Sequence, residues 1–446
     1  MSVLFIIAFS VVIILMSRFV FKFWFNPISF YSLIWCLILT LFELKLIDYY
    51  SLEIETWTII IVSWLLFVTG AITIYLIFPS ENQRLNLEYH NPYPVLNLDI
   101  HRLKFILWIL NIVSLIAALY NLYLVTKITG GLLNAFIIGN LLYSYRVAEG
   151  IPGSLPYIGS IVYTAAAFAG VYSARVQKIS LVGIFPIINI IIIDFAIMGR
   201  ADILIVSILS ATAYFVTPKS SKSNKSTSSV RFRKVLLIVV LLSVIIGGAE
   251  LIRSTRSAKE GFRGSTGSLK KLSSSGIITP SIYLYFSSSI GVLNQYFIQN
   301  KEDVPIGSNM FLTLYRIFER FGVDVHAEIY QQWYKIPTPV NTGTYLRELH
   351  GDFGIPGILF GPYLLGVFSS FFWLRFKENG RFIDLSFIAF FFGIIGLSFI
   401  VIATRLGGYF FFPFIAIPIS MFLDRRVKSQ KLFSTVEQKT INICDS

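Results

Sequence analysis

The densest group of chemically reactive side chains in this 446-residue sequence lies in residues 341–361, NTGTYLRELHGDFGIPGILFG. Nine consecutive positions carry a hydroxyl, a guanidinium, two carboxylates and an imidazole: Thr344, Arg347, Glu348, His350 and Asp352. A carboxylate or imidazole within hydrogen-bond reach of a hydroxyl can accept its proton while a new bond forms. Glu348, His350 and Asp352 are therefore candidate catalytic residues. The alternative interpretation is a polar loop in which Asp352 caps the following helix.

A second group of candidates consists of arginines at the ends of apolar segments. Arg200 lies in DFAIMGRAD and Arg405 in IATRLGGYFF, each between two apolar runs. A guanidinium at an apolar boundary is costly without an anionic partner, and its planar fork matches phosphate oxygens. The topology predicted below puts four more on the same side: Arg146, Arg253, Arg256 and Arg347. We take the six as candidates for binding a pyrophosphate. The alternative is pairing with acids such as Asp202, or contact with lipid headgroups.

Motifs of soluble enzymes and metal sites are missing from the sequence. There is no HExxH motif, no P-loop, no GxGxxG turn after a strand and no GxSxG nucleophile elbow. The two cysteines, Cys36 and Cys444, form no metal-binding pattern. We therefore expect neither a metal nor a cofactor, and these absences argue against an ATP-driven pump, a dinucleotide-dependent enzyme or a serine hydrolase.

The elements that carry the candidate residues are predicted to be membrane helices. Hydrophobic residues make up 55% of the chain and charged residues only 14%, and apolar runs of roughly 17–25 residues recur along it. This pattern predicts an all-α polytopic membrane protein, a single membrane domain over residues 1–446. About eleven transmembrane helices are expected, at 2–17, 27–47, 56–78, 104–126, 155–173, 180–198, 201–216, 235–252, 355–374, 382–404 and 408–423.

The distribution of Lys and Arg predicts the orientation of these spans. Segment 217–234 carries six basic residues and no acidic one, so it is expected to be a cytoplasmic linker. The same rule places the N-terminus outside and the C-terminus inside, with 424–446 as a cytoplasmic tail and 127–154 as an external interfacial segment. The net charge of +13 is attributed to residues that flank the spans and face lipid headgroups. We expect no nucleic-acid partner.

One large external loop, residues 253–354, connects the predicted spans 8 and 9. It carries eleven Lys or Arg residues, but loops longer than about 60 residues do not follow the positive-inside rule. Its stretches SIYLYFSSSIGVLNQYF and SNMFLTLYRIFERF have apolar residues at helical spacing. We expect two helices there that lie on the membrane surface.

Part of the sequence resembles a known family. Asn341-Thr-Gly-Thr344, followed by Asp352-Phe-Gly-Ile-Pro-Gly357 and a glycine-containing apolar span, resembles the bacterial oligosaccharide repeat-unit polymerases of the Wzy class. The GRADILI stretch at 199–205, the large external loop before the last three spans and the basic C-terminal tail agree with this resemblance. Such enzymes build O-antigen, capsule and related polysaccharides.

The resemblance implies a metal-independent glycosyltransferase of the bacterial cytoplasmic (inner) membrane. It would transfer the growing chain from undecaprenyl pyrophosphate to the non-reducing end of an incoming lipid-linked unit, and undecaprenyl pyrophosphate would leave. It implies that His350 and Asp352 lie near the reacting sugar. It also implies that Arg146, Arg200, Arg347 and Arg405 are candidates for binding the anionic carrier. Membrane lipids, a chain-length regulator and a flippase are the implied partners.

Two other functions remain open from the sequence. O-antigen ligases share a large external loop and a histidine near a glycine-rich span, which His350-Gly351 matches, and would move the glycan to lipid A or a protein. A flippase or transporter of lipid-linked oligosaccharides would favour charges in mid-span and little mass outside the membrane. The polar residues of this chain are instead concentrated at one face and in one loop, which favours the polymerase.

Overall fold

The computed structural model describes residues 3–78, 98–138, 157–178, 180–197, 201–218, 267–275, 279–299 and 304–424, and the single positions 96, 142, 199, 247 and 302. Within these ranges the chain is predominantly helical. The helices are α1 (Val3–Phe21), α2 (Pro27–Glu43), α3 (Ile54–Ile77), α4 (Ile100–Thr129), α5 (Leu132–Ile137), α6 (Gly159–Val176), α7 (Leu181–Ile197), α8 (Ala201–Val216), α9 (Gly267–Ser275), α10 (Pro280–Gln299), α11 (Leu312–Arg320), α12 (Tyr345–Asn379), α13 (Phe382–Leu397) and α14 (Gly407–Asp424). An antiparallel hairpin pairs β1 (Tyr334–Lys335) with β2 (Pro339–Val340), and a 3-10 turn covers Ala403–Arg405.

Among the described residues, five helices are long and apolar enough to cross a membrane: α1, α3, α4, α12 and α14. Helices α2, α7, α8 and α13 are shorter but also apolar. The prediction of a mostly helical, membrane-embedded chain is therefore confirmed. A helix lies at ten of the eleven predicted spans. The remaining span, 235–252, falls outside the described residues except for position 247.

Helices α3 and α12 cross with their backbones in direct contact. A Cβ at Gly70 of α3 would collide with the carbonyl oxygen of Tyr363, and a Cβ at Gly366 of α12 would collide with that of Phe67. Small residues let helices in a membrane approach closely enough for backbone packing to hold them together. Beside the crossing, Tyr31 of α2 stacks on Phe67 with ring centroids 4.1 Å apart. This crossing positions α12, which carries the candidate catalytic residues.

Helix α12 begins ten residues before the predicted span 355–374 and is kinked at Gly354. Gly354 has φ 64° and ψ −150°, a conformation that is essentially restricted to glycine. A helix of 35 residues measures about 52 Å, which exceeds the roughly 30 Å of a bilayer core. The kink therefore separates a polar initial segment, 345–353, from the apolar remainder of the helix.

The chain between α13 and α14 is not α-helical, in contrast to the predicted span 382–404. Helix α13 ends at Leu397, and segment 398–406, most of which is buried, forms short turns that include the 3-10 turn at Ala403–Arg405. Non-helical backbone at membrane depth requires partners for its polar groups. Here α12 supplies one of them, because the Ile402 N–H donates to the Glu348 carboxylate. Apolar content alone predicts one long span, since it does not reflect such tertiary hydrogen bonds.

Helix α10 is buried, whereas SIYLYFSSSIGVLNQYF was predicted to form a helix on the membrane surface. The Tyr283 hydroxyl donates to the Leu41 carbonyl oxygen at 2.5 Å, and Asn294 Oδ1 accepts from the Glu53 N–H at 2.9 Å. The small residues 287–289 are buried as well. The predicted helix is therefore present, and its small and polar side chains let it pack against protein on several sides. Its position relative to the membrane stays a prediction.

The α3–α12 crossing can be tested by adding one methyl group. Alanine usually stabilises a helix relative to glycine, but Gly366→Ala is expected to destabilise the protein by about 1–3 kcal/mol because the contact becomes overpacked. Gly267→Ala is the matched control, since no described residue outside its own helix turn and its chain neighbours comes within 4 Å of its Cβ position. Thermal unfolding of the purified protein in detergent measures both variants. Equal midpoints for the two would contradict the close crossing.

Candidate functional site

Contacts with the preceding loop hold the polar first turns of α12. The buried Arg347 forms an ion pair with Glu302 through Nε, which lies 3.0 Å from Oε1, and through one N–H group of Nη2. Its other N–H groups donate to the carbonyl oxygens of Asn341 and Gln332, at 3.0 Å each, and to Oε1 of Gln331 at 3.4 Å. A guanidinium has five N–H groups, and these contacts use all of them. A substrate could bind Arg347 only by displacing one of these partners.

Two tyrosines complete the environment of Arg347. The guanidinium lies 4.9 Å from the ring centroid of Tyr334 and 5.9 Å from that of Tyr296, within the range of cation–π attraction. The Tyr334 hydroxyl donates to Glu302 at 2.8 Å. Burial raises the pKa of Tyr334, and the hydrogen bond to the Glu302 carboxylate raises it further, so the hydroxyl stays protonated. The ion pair thus joins the loop to the helix.

Glu348 connects α12 to segment 398–406. Its buried carboxylate accepts hydrogen bonds from the side-chain amide of Gln331 and from the Ile402 N–H. Oε1 also lies 3.5 Å from Nη1 of Arg405. A buried carboxylate is costly to remove from water and remains charged only where cations and donors surround it. Glu348 and Arg405 therefore depend on each other.

Asp352 lies one helical turn after Glu348 and binds the chain just before α11. Its Oδ1 accepts from the Asn309 backbone N–H at 2.8 Å and from the Asn309 side chain at 2.9 Å, and its Oδ2 accepts from the Met310 N–H at 2.7 Å. Asn309 Oδ1 in turn accepts from Nη1 of Arg405. Residues four apart lie on the same face of a helix. Glu348 and Asp352 therefore reach the same arginine, the first directly and the second through Asn309.

Arg405 differs from Arg347 because one of its N–H groups, the Nε–H, donates no hydrogen bond to the described residues. Its Nη2 donates to two backbone carbonyl oxygens of the long loop at 2.8 and 3.1 Å, while Nη1 contacts Asn309 and Glu348. In the part of the chain that the structure describes, no residue accepts a hydrogen bond from its Nε–H. The residue is 8% exposed. Arg405 is therefore better placed than Arg347 to bind an anion.

His350 lies on a different side of α12 from these carboxylates. Its Nδ1 is 2.7 Å from the Tyr296 hydroxyl, and its ring packs against Phe297 with centroids 5.1 Å apart. The structure thus brings Glu348 and Asp352 together with Arg405 and leaves His350 apart. Within the described ranges, no group of three or more His, Cys, Asp or Glu side chains is placed to hold a metal ion.

A cavity of about 580 Å³ adjoins Arg405, and its lining is largely apolar but includes several polar side chains. We call it the polar cavity to distinguish it from the apolar groove described next. Its walls come from the start of α8, from α10, from the long loop and from segment 398–406. They present a guanidinium, a carboxylate, amides and aromatic rings: Arg405, Asp202, Gln331, Asn341, Tyr285 and Tyr330. A concave site with a few convergent polar groups among apolar ones is typical of a ligand-binding pocket.

An apolar groove of about 460 Å³ runs along α12 near the same segment. Its lining comes from α12, α13 and the chain before α11, with Leu349, Phe360, Leu364 and Phe391 among its members. Thr404 contributes a hydroxyl group whose Oγ1 is buried and has no hydrogen-bond partner among the described residues. Segment 398–406 lines both spaces, since its Arg405 faces the polar cavity and its Thr404 the apolar groove.

Four of the six candidate arginines lie outside the described residues: Arg146, Arg200, Arg253 and Arg256. The chain on either side of Arg200 is described, and Gly199, Ala201 and Asp202 line the polar cavity. Asp194 of α7 contacts the start of α8, because its carboxylate accepts from the Ile203 N–H at 3.0 Å. Three residues of the GRAD motif, Gly199, Ala201 and Asp202, are therefore at the wall of the cavity that contains Arg405.

Four residues of this arrangement were not identified from the sequence: Glu302, Asn309, Gln331 and Thr404. The first three lie 45, 43 and 17 positions from their partners on α12. A single sequence contains no periodicity or motif that links positions so far apart. Their polar character in a long loop was the one available signal, and it does not distinguish them from solvent-exposed residues.

The Arg347–Glu302 ion pair is expected to stabilise the fold. Arg347→Met leaves the Glu302 carboxylate without its cation and should cost about 3–5 kcal/mol. Adding Glu302→Gln removes the stranded charge, so the double variant should recover part of this loss. Arg316→Met is the control, because the Arg316–Glu319 pair is exposed and 4.0 Å apart, and such pairs contribute about 0–1 kcal/mol. Thermal unfolding in detergent compares Arg347→Met, the double variant and Arg316→Met. A double variant no more stable than Arg347→Met would contradict the Arg347–Glu302 ion pair.

Comparison with known proteins identifies no relative of this chain. No protein-family model matches it, and neither a curated protein nor a solved structure is significantly similar to it. The function of the site is therefore inferred from its own residues and from the local sequence resemblance.

Proposed function

We propose that this protein polymerises lipid-linked oligosaccharide repeat units at the outer face of a bacterial cytoplasmic membrane, with undecaprenyl pyrophosphate as the carrier. The observation that carries the proposal is that segment 398–406 lines both the polar cavity and the apolar groove. A lipid-linked glycan requires both environments, because its carrier needs apolar contacts and its sugars need hydrogen-bonding groups. The sequence resemblance contributes the class of reaction.

In this proposal the chain crosses the membrane eleven times, with its N-terminus outside and its C-terminus inside. Residues 253–354 are then external, and so are α10, α11 and the β1–β2 hairpin. The linker 217–234 and the tail 424–446 are cytoplasmic. The polar cavity, whose walls include the long loop, accordingly opens on the outer side, where lipid-linked repeat units are polymerised.

The apolar groove is suited to the hydrocarbon chain of the carrier. Phe353, Phe360, Leu364 and Phe368 of α12 line the groove and are also exposed on the surface of the chain. In a membrane, this exposed side of α12 faces lipid tails. A polyprenyl chain could therefore enter the groove sideways from the bilayer without crossing a polar barrier.

Arg405 and Thr404 then lie where the pyrophosphate would join the two parts of the substrate. During transfer, the bond between the anomeric carbon and the pyrophosphate oxygen breaks, and a bond from that carbon to the acceptor hydroxyl oxygen forms. The departing pyrophosphate takes the electron pair and gains negative charge. The free Nε–H of Arg405 and the hydroxyl of Thr404 supply donors for that charge, which is the kind of stabilisation that contributes most to such reactions.

The acceptor hydroxyl must lose its proton in the same step, and Glu348 is the best-placed candidate base. Two of its partners, Gln331 and Arg405, line the polar cavity, so a small rearrangement of Gln331 gives a hydroxyl access to the carboxylate. Asp352 holds Arg405 in position through Asn309. His350, bound to Tyr296, is the more remote of the predicted catalytic residues.

Reconstitution tests the proposed reaction directly. Purified protein in liposomes would receive a synthetic undecaprenyl-pyrophosphate repeat unit without nucleotide or divalent metal, and the products would be separated on a gel. A ladder spaced by one repeat unit is expected. Glycosylation of added lipid A or protein without a ladder would indicate a ligase. Movement of unmodified substrate across the bilayer would indicate a transporter.

Variants of the candidate arginines test the pyrophosphate contact. Arg405→Lys keeps the charge but loses the planar fork, and it is expected to slow ladder formation by about 10²–10³-fold, the usual cost of losing one transition-state donor. Arg200→Ala is expected to abolish polymerisation while expression is retained. Arg316→Lys, an exposed arginine of the same loop, is the control. Wild-type chain lengths from both Arg405→Lys and Arg200→Ala would remove these residues from the mechanism.

Filling the groove tests where the carrier binds. Leu364 and Leu359 lie on the same helix with similar exposure, 44% and 39%, but only Leu364 lines the groove. Leu364→Trp is expected to raise KM for a donor with a long polyprenyl chain and to change KM little for a donor with a short one, because the short chain does not extend along the groove. Leu359→Trp should behave as wild type with both donors. Equal effects of the two variants would place the carrier elsewhere.

A further inference from the structure

We infer that segment 306–323 docks into the outer leaflet of the surrounding bilayer through an exposed apolar stripe. Ile306 is 79% exposed and Phe321 is 82% exposed. Phe311, which directly precedes α11, and Phe318 within the helix are exposed as well. They are seven positions apart and therefore lie on the same face of the helix. Four large apolar side chains along one short segment form a surface that water solvates poorly.

The opposite face of α11 is already occupied. Leu312 and Thr313 are buried, and the helix packs on the 3-10 turn Ala403–Arg405. The orientation of the stripe is therefore set by packing: α11 cannot rotate its aromatic side chains inward without giving up this contact. An amphipathic helix with one face fixed on protein presents its other face to whatever surrounds the molecule.

The position of the stripe indicates that lipid surrounds it. A Cβ built at Gly307 would lie 3.3 Å from Phe311 and 3.8 Å from Phe353, so this segment sits beside the kink at Gly354 where α12 becomes apolar. Ile355, just after the kink, is 66% exposed. Phe311 also lines the apolar groove. The stripe is thus continuous with the lipid-facing side of α12, at the level where an interfacial helix buries its apolar face by about 5–10 Å.

The charges of the segment indicate what kind of docking this is. Its two cations, Arg316 and Arg320, are balanced by Glu319 and by Asp324, which directly follows the segment, and Arg316 lies 4.0 Å from Glu319. A balanced segment gains little from anionic headgroups. Docking is therefore expected to depend on apolar contact and to be the same in neutral and in anionic membranes.

Depth-dependent fluorescence quenching tests this inference on the full-length protein. In a background carrying Cys36→Ala and Cys444→Ser, single cysteines Phe318→Cys and Phe321→Cys would be labelled with NBD and reconstituted in nanodiscs of phosphatidylcholine, with or without phosphatidylglycerol. Asp324→Cys, at an exposed position directly after the segment, is the matched control. Size-exclusion chromatography verifies that each variant is folded, and these exposed positions are expected to tolerate the substitution.

Labels at positions 318 and 321 should lose most of their fluorescence to lipids with a doxyl group near the headgroup and little to aqueous iodide, and the label at 324 should behave in the opposite way. Equal quenching in both lipid mixtures is expected.

Quenching of 318 and 321 by iodide alone would overturn the inference, and so would protection from both quenchers, which would indicate a second protein copy on the stripe. A requirement for phosphatidylglycerol would overturn the apolar docking mode. Glycan transfer is not part of the readout, so failure here leaves the proposed function unaffected.

Discussion

A carboxylate buried inside a membrane protein must meet a cation and hydrogen-bond donors, and this requirement shapes the centre of the molecule. Glu348 meets it with the Arg405 guanidinium, the Gln331 amide and the Ile402 N–H. Two of these partners belong to the chain between α13 and α14. That chain leaves the α-helical conformation, and α12 supplies both the acceptor for its Ile402 N–H and an anion for its Arg405. Without Glu348, residues 398–406 would have an unpaired donor and an unpaired cation in an apolar setting.

Glycine residues position this carboxylate. The contacts at Gly70 and Gly366 bring α12 against α3, and the conformation of Gly354 turns the initial segment of α12 out of the line of the span. The initial segment can then carry Arg347, Glu348 and Asp352 into contact with the long loop. Backbone packing inside the membrane and polar packing outside it are thus joined within one helix.

Arg347, which belongs to α12, and Arg405, which lies in segment 398–406, have the same side chain but different environments. Arg347 has every N–H group occupied by the protein and two aromatic rings beside it, so it behaves as a structural cross-link. Arg405 is held through Nη1 and Nη2 and retains its Nε–H at the edge of the polar cavity. A cation that is held rigidly but is incompletely paired is suited to binding an anion. In the proposed reaction this difference assigns the pyrophosphate to Arg405.

The class of the protein, a chain of membrane helices, was predictable from the sequence. Long apolar runs predict membrane helices because each helix satisfies its own backbone, so the information is local. The crowding of Arg347, Glu348 and Asp352 in residues 341–361 was equally visible. Three features became visible only in the folded chain: Arg347 pairs with Glu302, α10 is buried, and residues 398–406 do not form α-helix. Each of these depends on a partner many positions away, and local periodicity shows which residues avoid water without showing which distant groups they meet.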